Sequence, residues 1–158
     1  MLVLIRKKID QVFAVVLSIT MMVLVALALW QVFTRYVLNN PSLFTEELLR
    51  FAMIWMALLG AAYAFSGRKH MALVFLREKM QGSRRTALII ATDLLVIFFA
   101  ASVMVYGGTF LASRTIHVIT PVLGWSMGTV YSVIPISGSL IIILKIMDML
   151  IYVRQVGE

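Results

Sequence analysis

Ionisable side chains inside long apolar stretches are the first candidate functional groups of this sequence. Asp93 and Lys145 are the deepest of them. An ionised side chain in hydrocarbon costs at least a few kcal/mol unless it is paired or reaches water. The two lie about 12 Å and 13 Å along their helices from the flanking Arg85 and Arg154. This matched depth predicts an ion pair between Asp93 and Lys145, with Asp148 as the competing partner of Lys145.

A proton or sodium relay is the alternative use of Asp93, because an acid inside a membrane is a functional residue by default. Ion pathways commonly use several carboxylates or the free carbonyl groups of a broken helix. Here a single acid lies near one interface, and a lysine is available at the same depth. We therefore favour a structural ion pair.

A second group of charges, Arg35, Glu46, Glu47 and Arg50, falls where the first two apolar stretches meet. A short turn brings Arg35 to the two glutamates, which predicts a charge cluster. Acids at a helix N-terminus complement the helix dipole, and Thr45 is placed to cap that helix. Arg50 lies one turn deeper, so we expect it to contact the bundle, a lipid phosphate or a docking partner.

The sequence offers no catalytic or cofactor-binding constellation. Its two histidines, His70 and His117, fall in loops on opposite sides of the predicted membrane, so they cannot share a metal or complete a Ser-His-Asp set. There is no cysteine, which removes thiolate ligands. No phosphate-binding glycine-rich loop is followed by a lysine. We expect no enzyme activity, no metal and no cofactor.

The elements that must position these residues are transmembrane helices. The composition is 62% hydrophobic and 13% charged, far from the soluble average of about a quarter charged. Four stretches reach the roughly 20 apolar residues that a membrane-spanning helix needs, and none alternates as a β-barrel strand would. The sequence predicts one all-α membrane domain over residues 1–158, with spans near 12–37, 48–66, 86–110 and 127–152.

The positions of the basic residues predict that both termini face the cytoplasm. Short cytoplasmic loops retain lysine and arginine during insertion, and eleven of the 14 basic residues fall on the side of the termini. The other side keeps Arg35, Arg50 and Arg114. Because the positive charge lies on short loops beside the membrane, phospholipid headgroups are the expected partner, and nucleic acid is not.

Two short amphipathic helices are predicted to lie along the membrane surface, near residues 2–11 and 70–81. In the first, apolar residues such as Leu2 and Ile9 fall on one arc, while Arg6 and Asp10 fall on the other. The first helix is expected to lie flat before the chain turns into the membrane. The alternative is ordinary positively charged flanking sequence with no partner.

Small residues on the second span predict a helix-packing face, because close backbone approach replaces the hydrophobic drive between helices in lipid. The residues of this face are Ala57, Gly60, Ala61 and Ala64.

The tryptophans are assigned to the interface or to a partner. Trp125 suits the outer interfacial belt. Trp30 and Trp55 lie deeper, where they face lipid or anchor a partner, and we favour lipid.

Several short motifs recur in a fixed order across the four spans. They are Arg35-Tyr36-Val37, Pro41, Thr45-Glu46-Glu47, Arg50, Trp55, Gly60-Ala61-Ala62, His70, Thr120-Pro121-Val122-Leu123-Gly124 and Tyr131-Ser132-Val133-Ile134-Pro135. In the order and spacing of these motifs the chain resembles the small membrane subunit, the DctQ-like component, of tripartite ATP-independent periplasmic (TRAP) transporters. Phe44 departs from the tryptophan that the family often has at that position.

The resemblance implies a non-catalytic subunit in the bacterial inner membrane. In that family a periplasmic binding protein delivers an organic acid, such as a C4-dicarboxylate or sialic acid. The large membrane subunit holds the substrate and sodium sites. The small subunit supports the large one and helps to dock the binding protein.

Two other functions remain open on the sequence. A self-sufficient four-helix exporter would need a carboxylate near mid-bilayer, and Asp93 is off-centre. The chain could also anchor an unrelated membrane complex.

Overall fold

The structure is a computed structural model that describes residues 2–66 and 83–156. Those residues are nearly all helical, and four helices are long and apolar enough to cross a membrane. The prediction of an all-α membrane protein with four spans is confirmed. The spans are Arg6–Tyr36, Leu43–Phe65, Leu88–Arg114 and Met127–Ile151.

Helix α1 runs without interruption over Leu2–Tyr36. The predicted boundary between a surface helix at 2–11 and a first span from residue 12 is therefore absent. The segment contains neither glycine nor proline, so no residue in it favours ending the helix. Arg6 also binds the fourth span, which holds the first turns of α1 against the bundle. The second predicted surface helix, near 70–81, lies outside the described residues.

Helix α2 covers Leu43–Ser66 and begins five residues earlier than predicted. The residue at its start is Ser42, whose Oγ accepts a hydrogen bond from the Thr45 backbone N–H over 3.4 Å. The prediction that Thr45 caps the helix is wrong, because Thr45 already lies in its first turn. Asn39, with φ of 50°, adopts a left-handed conformation that asparagine tolerates. It helps the chain to reverse between α1 and α2.

The third span changes its hydrogen-bonding pattern midway. Helix α3 covers Ser83–Phe99, a π-helical segment follows over Ala100–Gly107, and α4 covers Gly108–Arg114. The backbone at both ends of the π-helical segment is right-handed helical, so the three parts form one continuous rod. The helical rod, Ser83–Arg114, is longer than the predicted 86–110 at both ends, whereas its membrane span begins at Leu88 and ends at Arg114.

The fourth span begins with a short helix, α5, over Met127–Tyr131 and continues as α6 over Val133–Val156. The interruption at Ser132 has a simple cause. Pro135 has no backbone N–H to donate to the carbonyl of Tyr131, four residues earlier, so the α-helical ladder is broken there.

The bundle has two distinct ends. The 37–42 loop and the 115–126 loop share one end, because Glu47 at the start of α2 contacts Val122 in the second loop. We call this the loop end. The first residues of α1 contact Asp148 of α6 at the opposite end, which we call the terminal end.

Glycines allow the third and fourth spans to pack closely. A Cβ added to Gly138 of α6 would lie 2.6 Å from Met104 Cβ, and one added to Gly108 of α4 would lie 2.8 Å from Pro135 Cδ. Neither neighbouring atom is the end of a flexible side chain, so any larger residue would push the helices apart. Ala62, Ala100 and Ile141 form a buried core cluster where the second, third and fourth spans meet.

Candidate functional site

Asp93 and Lys145 are in direct contact. Lys145 Nζ on α6 donates a hydrogen bond to Asp93 Oδ1 on α3 over 2.9 Å. Both side chains are buried, so each loses most of its hydration and depends on the opposite charge beside it. This is the arrangement that the matched depths of the two residues predict.

Asp148 has a different partner from the one predicted. Arg6 Nε on α1 donates to Asp148 Oδ1 over 2.9 Å, and a second guanidinium nitrogen lies 3.4 Å from Asp148 Oδ2. Arg6 also pairs with Asp10, one turn further along α1. The assignment of Asp148 as a competitor for Lys145 is therefore corrected. A two-point contact suits the planar guanidinium group of arginine better than it suits an ammonium group.

Sequence reasoning missed the role of Arg6, which it counted among the flanking positive charges. The pattern that could have revealed it is Asp148, an acid left without a cation once Lys145 is assigned to Asp93. Arg6 and Asp148 are both buried, although Arg6 lies in the second turn of α1. Burial this close to the start of α1 follows from tertiary packing.

The two ion pairs join three spans. Lys145 and Asp148 are three residues apart on α6 and share one face of that helix. They present a cation to α3 and an anion to α1. Paired charges inside a low-dielectric medium are costly to separate, so this arrangement fixes the rotation of α6 relative to both neighbours.

At the loop end, Glu47 holds the 115–126 loop. Its Oε2 accepts hydrogen bonds from the backbone N–H groups of Val122 and Leu123, over 3.0 Å and 2.9 Å. The loop reverses at Gly124, whose φ of +67° suits glycine. The Thr120 backbone N–H donates to the Trp125 carbonyl over 2.9 Å, and the Trp125 N–H donates to Thr120 Oγ1 over 3.0 Å. Glu47 is thus a structural residue of the loop end, a role that sequence reasoning did not assign.

The four charged residues predicted to form one cluster at the loop end do not all contact one another. Arg50 pairs with Glu46 over 3.4 Å on an exposed surface. Among the described ion pairs none joins Arg35 to Glu46 or Glu47, which corrects the predicted cluster. Arg35 and Leu49 line one pocket between α1 and α2, whereas the two glutamates and Arg50 line a different one.

The tryptophans fall into different environments. Trp55 is half-buried, and its Nε1 donates to the carbonyl of Val130 over 3.1 Å. The indole N–H of Trp55 thus has an acceptor within the chain that lipid tails lack, and the assignment of its half-buried ring to lipid stays a prediction. Trp30 is exposed beside Phe33, and Trp125 is exposed at the loop end.

The small residues of the second span are mostly not packed inside this chain. Ala57 and Ala64 are exposed, and a Cβ added to Gly60 would meet no atom within 4 Å. The buried small residue of α2 is Ala62, on a different face. Within residues 2–66 and 83–156, the predicted face of Ala57, Gly60, Ala61 and Ala64 is consequently open on the surface of the bundle.

An apolar groove of about 480 Å³ lies between α1, α2 and the start of the fourth span. Phe51, Trp55 and Leu59 of α2 form part of its lining, and Val16 and Leu17 lie on α1. The groove is lined almost wholly by apolar side chains, so it offers little to a charged solute.

These features define a small four-span membrane protein whose buried charges hold its own helices together. The chain matches the family model of the DctQ component of tripartite ATP-independent periplasmic transporters over residues 12–155. Because this match covers most of the sequence, the chain belongs to that family of transporter permease components. It is accordingly a multi-pass protein of the inner membrane.

The chain is also similar to two small permease proteins of TRAP transporters. A protein of Vibrio cholerae, the sialic acid TRAP transporter small permease protein SiaQ, is 31% identical over 102 residues. That match covers 65% of this chain and 59% of the relative. A putative TRAP transporter small permease protein of Haemophilus influenzae is 26% identical over 127 residues, which cover 80% of this chain and 78% of the relative.

Proposed function

We propose that this chain is a scaffold subunit that supports a large transport subunit and helps to dock a periplasmic binding protein during sodium-coupled uptake of an organic acid. The observation that carries the proposal is the use of the buried charges. Each buried charged side chain in the described part of the chain, namely Arg6, Asp93, Lys145 and Asp148, is paired within the chain. Cargo and coupling ions then require side chains from another polypeptide.

The open small-residue face of α2 is the proposed contact for the large subunit. Small side chains let the backbones of two transmembrane helices approach closely. Gly60 has free space where a Cβ would stand, and Ala57 and Ala64 are exposed on either side of it. A helix of the large subunit can pack there without any movement of this chain.

The loop end is the proposed docking side for the binding protein. The positive-inside rule supports both termini in the cytoplasm, and we propose on that basis that the loop end faces the periplasm. Glu47 holds the 115–126 loop in one position, and the exposed Glu46–Arg50 pair lies beside it. Such a surface has fixed shape and accessible charge, as a transient partner requires.

A carboxylated sugar is the leading cargo class, because the Vibrio cholerae relative is described as part of a sialic acid transporter. C4-dicarboxylates and other organic acids are the alternatives. The binding protein selects the cargo in this arrangement, so the small subunit has no need to recognise it.

Reconstitution tests the proposal directly. Vesicles with a sodium gradient receive this chain alone, the large subunit alone, or both, and uptake of radiolabelled sialic acid or a C4-dicarboxylate is measured with the binding protein present. We expect uptake only with both membrane subunits. Uptake by this chain alone, or undiminished uptake without it, would contradict the proposal.

The docking assignment has its own test, with a matched pair of charge reversals. Glu46→Lys changes an exposed acid at the loop end, and Lys8→Glu changes an exposed base at the terminal end. We expect Glu46→Lys to raise the binding-protein concentration needed for half-maximal uptake, and Lys8→Glu to leave it unchanged. Equal effects from both would argue against docking at the loop end.

A further inference from the structure

The third and fourth spans are interrupted at the same level of the bundle. In the third span the α-helical pattern gives way to the π-helical segment Ala100–Gly107, and in the fourth it breaks before Pro135. A Cβ added to Gly108 would lie 2.8 Å from Pro135 Cδ, so the two interruptions lie side by side. Sharp bends in helices occur mostly at prolines, glycines and π-helical turns. The two interruptions therefore mark a place where both spans can bend together.

Residues 108–131, between the two interruptions, form a unit that we call the cap. It consists of α4, α5 and the loop between them. A Cβ added to Gly128 of α5 would lie 2.6 Å from the carbonyl oxygen of Ala112 in α4, so the two short helices touch at their backbones. Where the loop enters α5, the Met127 N–H donates to the carbonyl of Val118 over 2.8 Å. These contacts lie inside the cap and hold its parts together.

The cap is packed less closely against α2. Two spaces border both of them, with volumes of about 480 Å³ and 210 Å³. Trp125 and Val130 of the cap line the first space, and Pro121 and Val122 line the second. Side chains that border such spaces lack the close contacts that fix a protein core. Movement of the cap away from α2 therefore disrupts less packing than movement within the cap would.

Two side chains of α2 hold the cap in place. Glu47 accepts hydrogen bonds from the backbone N–H groups of Val122 and Leu123. The indole N–H of Trp55, about two turns further along α2, donates to the carbonyl of Val130. All of these bonds end on backbone groups of the cap, so they fix the position of its chain. We call these hydrogen bonds the latch.

Hydroxyl groups along the π-helical segment allow it to bend inside a membrane, where backbone carbonyls need partners within the protein. Ser102 Oγ donates to the carbonyl of Phe98 over 2.7 Å. Thr109 Oγ1 donates to the carbonyl of Val105 over 2.8 Å and lies 2.9 Å from that of Tyr106. Hydroxyl bonds to the preceding turn often bend helices. A bend here therefore keeps acceptors supplied with donors.

We propose that the cap is a hinged unit that swings away from α2 when the latch opens. The hinge consists of the end of the π-helical segment at Gly107 and the break of the fourth span before Pro135. Because the two lie side by side, one rotation bends both connections between the cap and the rest of the chain. The movement changes the shape of the loop end, which is the proposed docking side, but it does not depend on that role.

Distances between spin labels test the hinge. The chain has no cysteine, so labels attach only where cysteines are introduced. Ile119→Cys in the cap and Met22→Cys on α1 form the reporting pair, and Phe98→Cys on α3 with Met22→Cys forms the control pair; all three positions are exposed. The unlatched variant carries Glu47→Ala and Trp55→Phe. In vesicles, it should add a second, longer distance to the reporting pair and leave the control pair unchanged.

Two glycine substitutions test where the bend lies. In the unlatched variant, Gly107→Ala should lower the share of the longer distance about two- to fivefold, because alanine has less backbone freedom than glycine. The latched form accepts this change, since a Cβ at Gly107 would lie 3.9 Å from its nearest neighbour, the carbonyl oxygen of Ser102. Gly60→Ala in α2, where a Cβ also has free space, should leave that share unchanged.

Amide hydrogen exchange separates a swinging cap from an unfolding loop. In the unlatched variant we expect faster exchange at Val122 and Leu123, whose N–H groups lose Glu47. Exchange at Thr120 and Met127 should stay unchanged, because their N–H groups bond within the cap. Faster exchange at all four amides would show that the loop unfolds, and the proposal would fall. An unchanged reporting distance, a control distance that shifts equally, or equal effects of the two alanine substitutions would also overturn it.

Discussion

The buried ion pair between Asp93 and Lys145 makes a measurable contribution to the free energy of unfolding. The two side chains are 9% and 7% exposed, so solvent screens them little. Asp93→Ala leaves the ammonium group of Lys145 without its partner, and breaking one half of a buried pair costs about 3–5 kcal/mol. Lys145→Met in the same chain removes that stranded charge. The double variant should recover most of the loss, because apolar replacements of buried pairs are often nearly neutral.

The exposed pair of Glu46 and Arg50 is a matched comparison within the same chain. Its side chains are 47% and 65% exposed, and exposed pairs contribute about 0.2–1 kcal/mol. A double-mutant cycle compares two single variants with the double variant. The cycle of Glu46→Ala and Arg50→Met should therefore give a much smaller coupling energy than the cycle of Asp93→Ala and Lys145→Met.

Unfolding in mixed micelles measures both cycles. Tryptophan fluorescence is followed as the mole fraction of dodecyl sulfate rises, and the coupling energy is obtained from the four members of each cycle. We expect about 2 kcal/mol or more for the buried pair, by the loss that removing one partner causes. If the double variant is no more stable than Asp93→Ala, or if the two cycles agree, the ion pair does not stabilise the bundle.

Three further predictions follow from the packing and the hydrogen bonds. Gly138→Ala should cost about 1–3 kcal/mol by overpacking against Met104, while Gly60→Ala should leave the unfolding midpoint of the isolated chain unchanged; equal effects would contradict the packing. Glu47→Ala should speed amide hydrogen exchange at Val122 and Leu123, with Glu47→Gln intermediate because it keeps one acceptor oxygen. Trp55→Phe should cost about 1 kcal/mol through its lost hydrogen bond, whereas Trp30→Phe should be neutral in the same unfolding assay.

Local sequence predicted the spans better than their ends. The four apolar stretches correspond to the four long helices, because the length needed to cross the hydrocarbon core is a property of each stretch by itself. The structure differs from the prediction at the starts of α1 and α2: α1 has no break near residue 12, and α2 begins at Leu43 and not at residue 48. At α1 the helix continues through the expected turn because Arg6 binds α6. At α2 the cap is Ser42 and not Thr45, a choice that depends on how the preceding turn closes.

The predicted contacts divide in a similar way. Depth along a helix can be counted from the sequence, and Asp93 and Lys145 have matching depths and lie in contact. The rotation of each helix about its own axis cannot be counted in this manner. Rotation determines that Arg35 lines a pocket with Leu49, that Asp148 meets Arg6, and that Trp55 donates to Val130.

The sequence by itself therefore determined that the chain is helical, that it crosses a membrane four times and that it resembles the small TRAP subunit. These properties depend on hydropathy and on short motifs, which are local. Only the tertiary structure decided which charges pair, that Glu47 fastens the 115–126 loop and that the small face of α2 stays open. Those outcomes depend on the rotation and spacing of whole helices, which packing among distant residues sets.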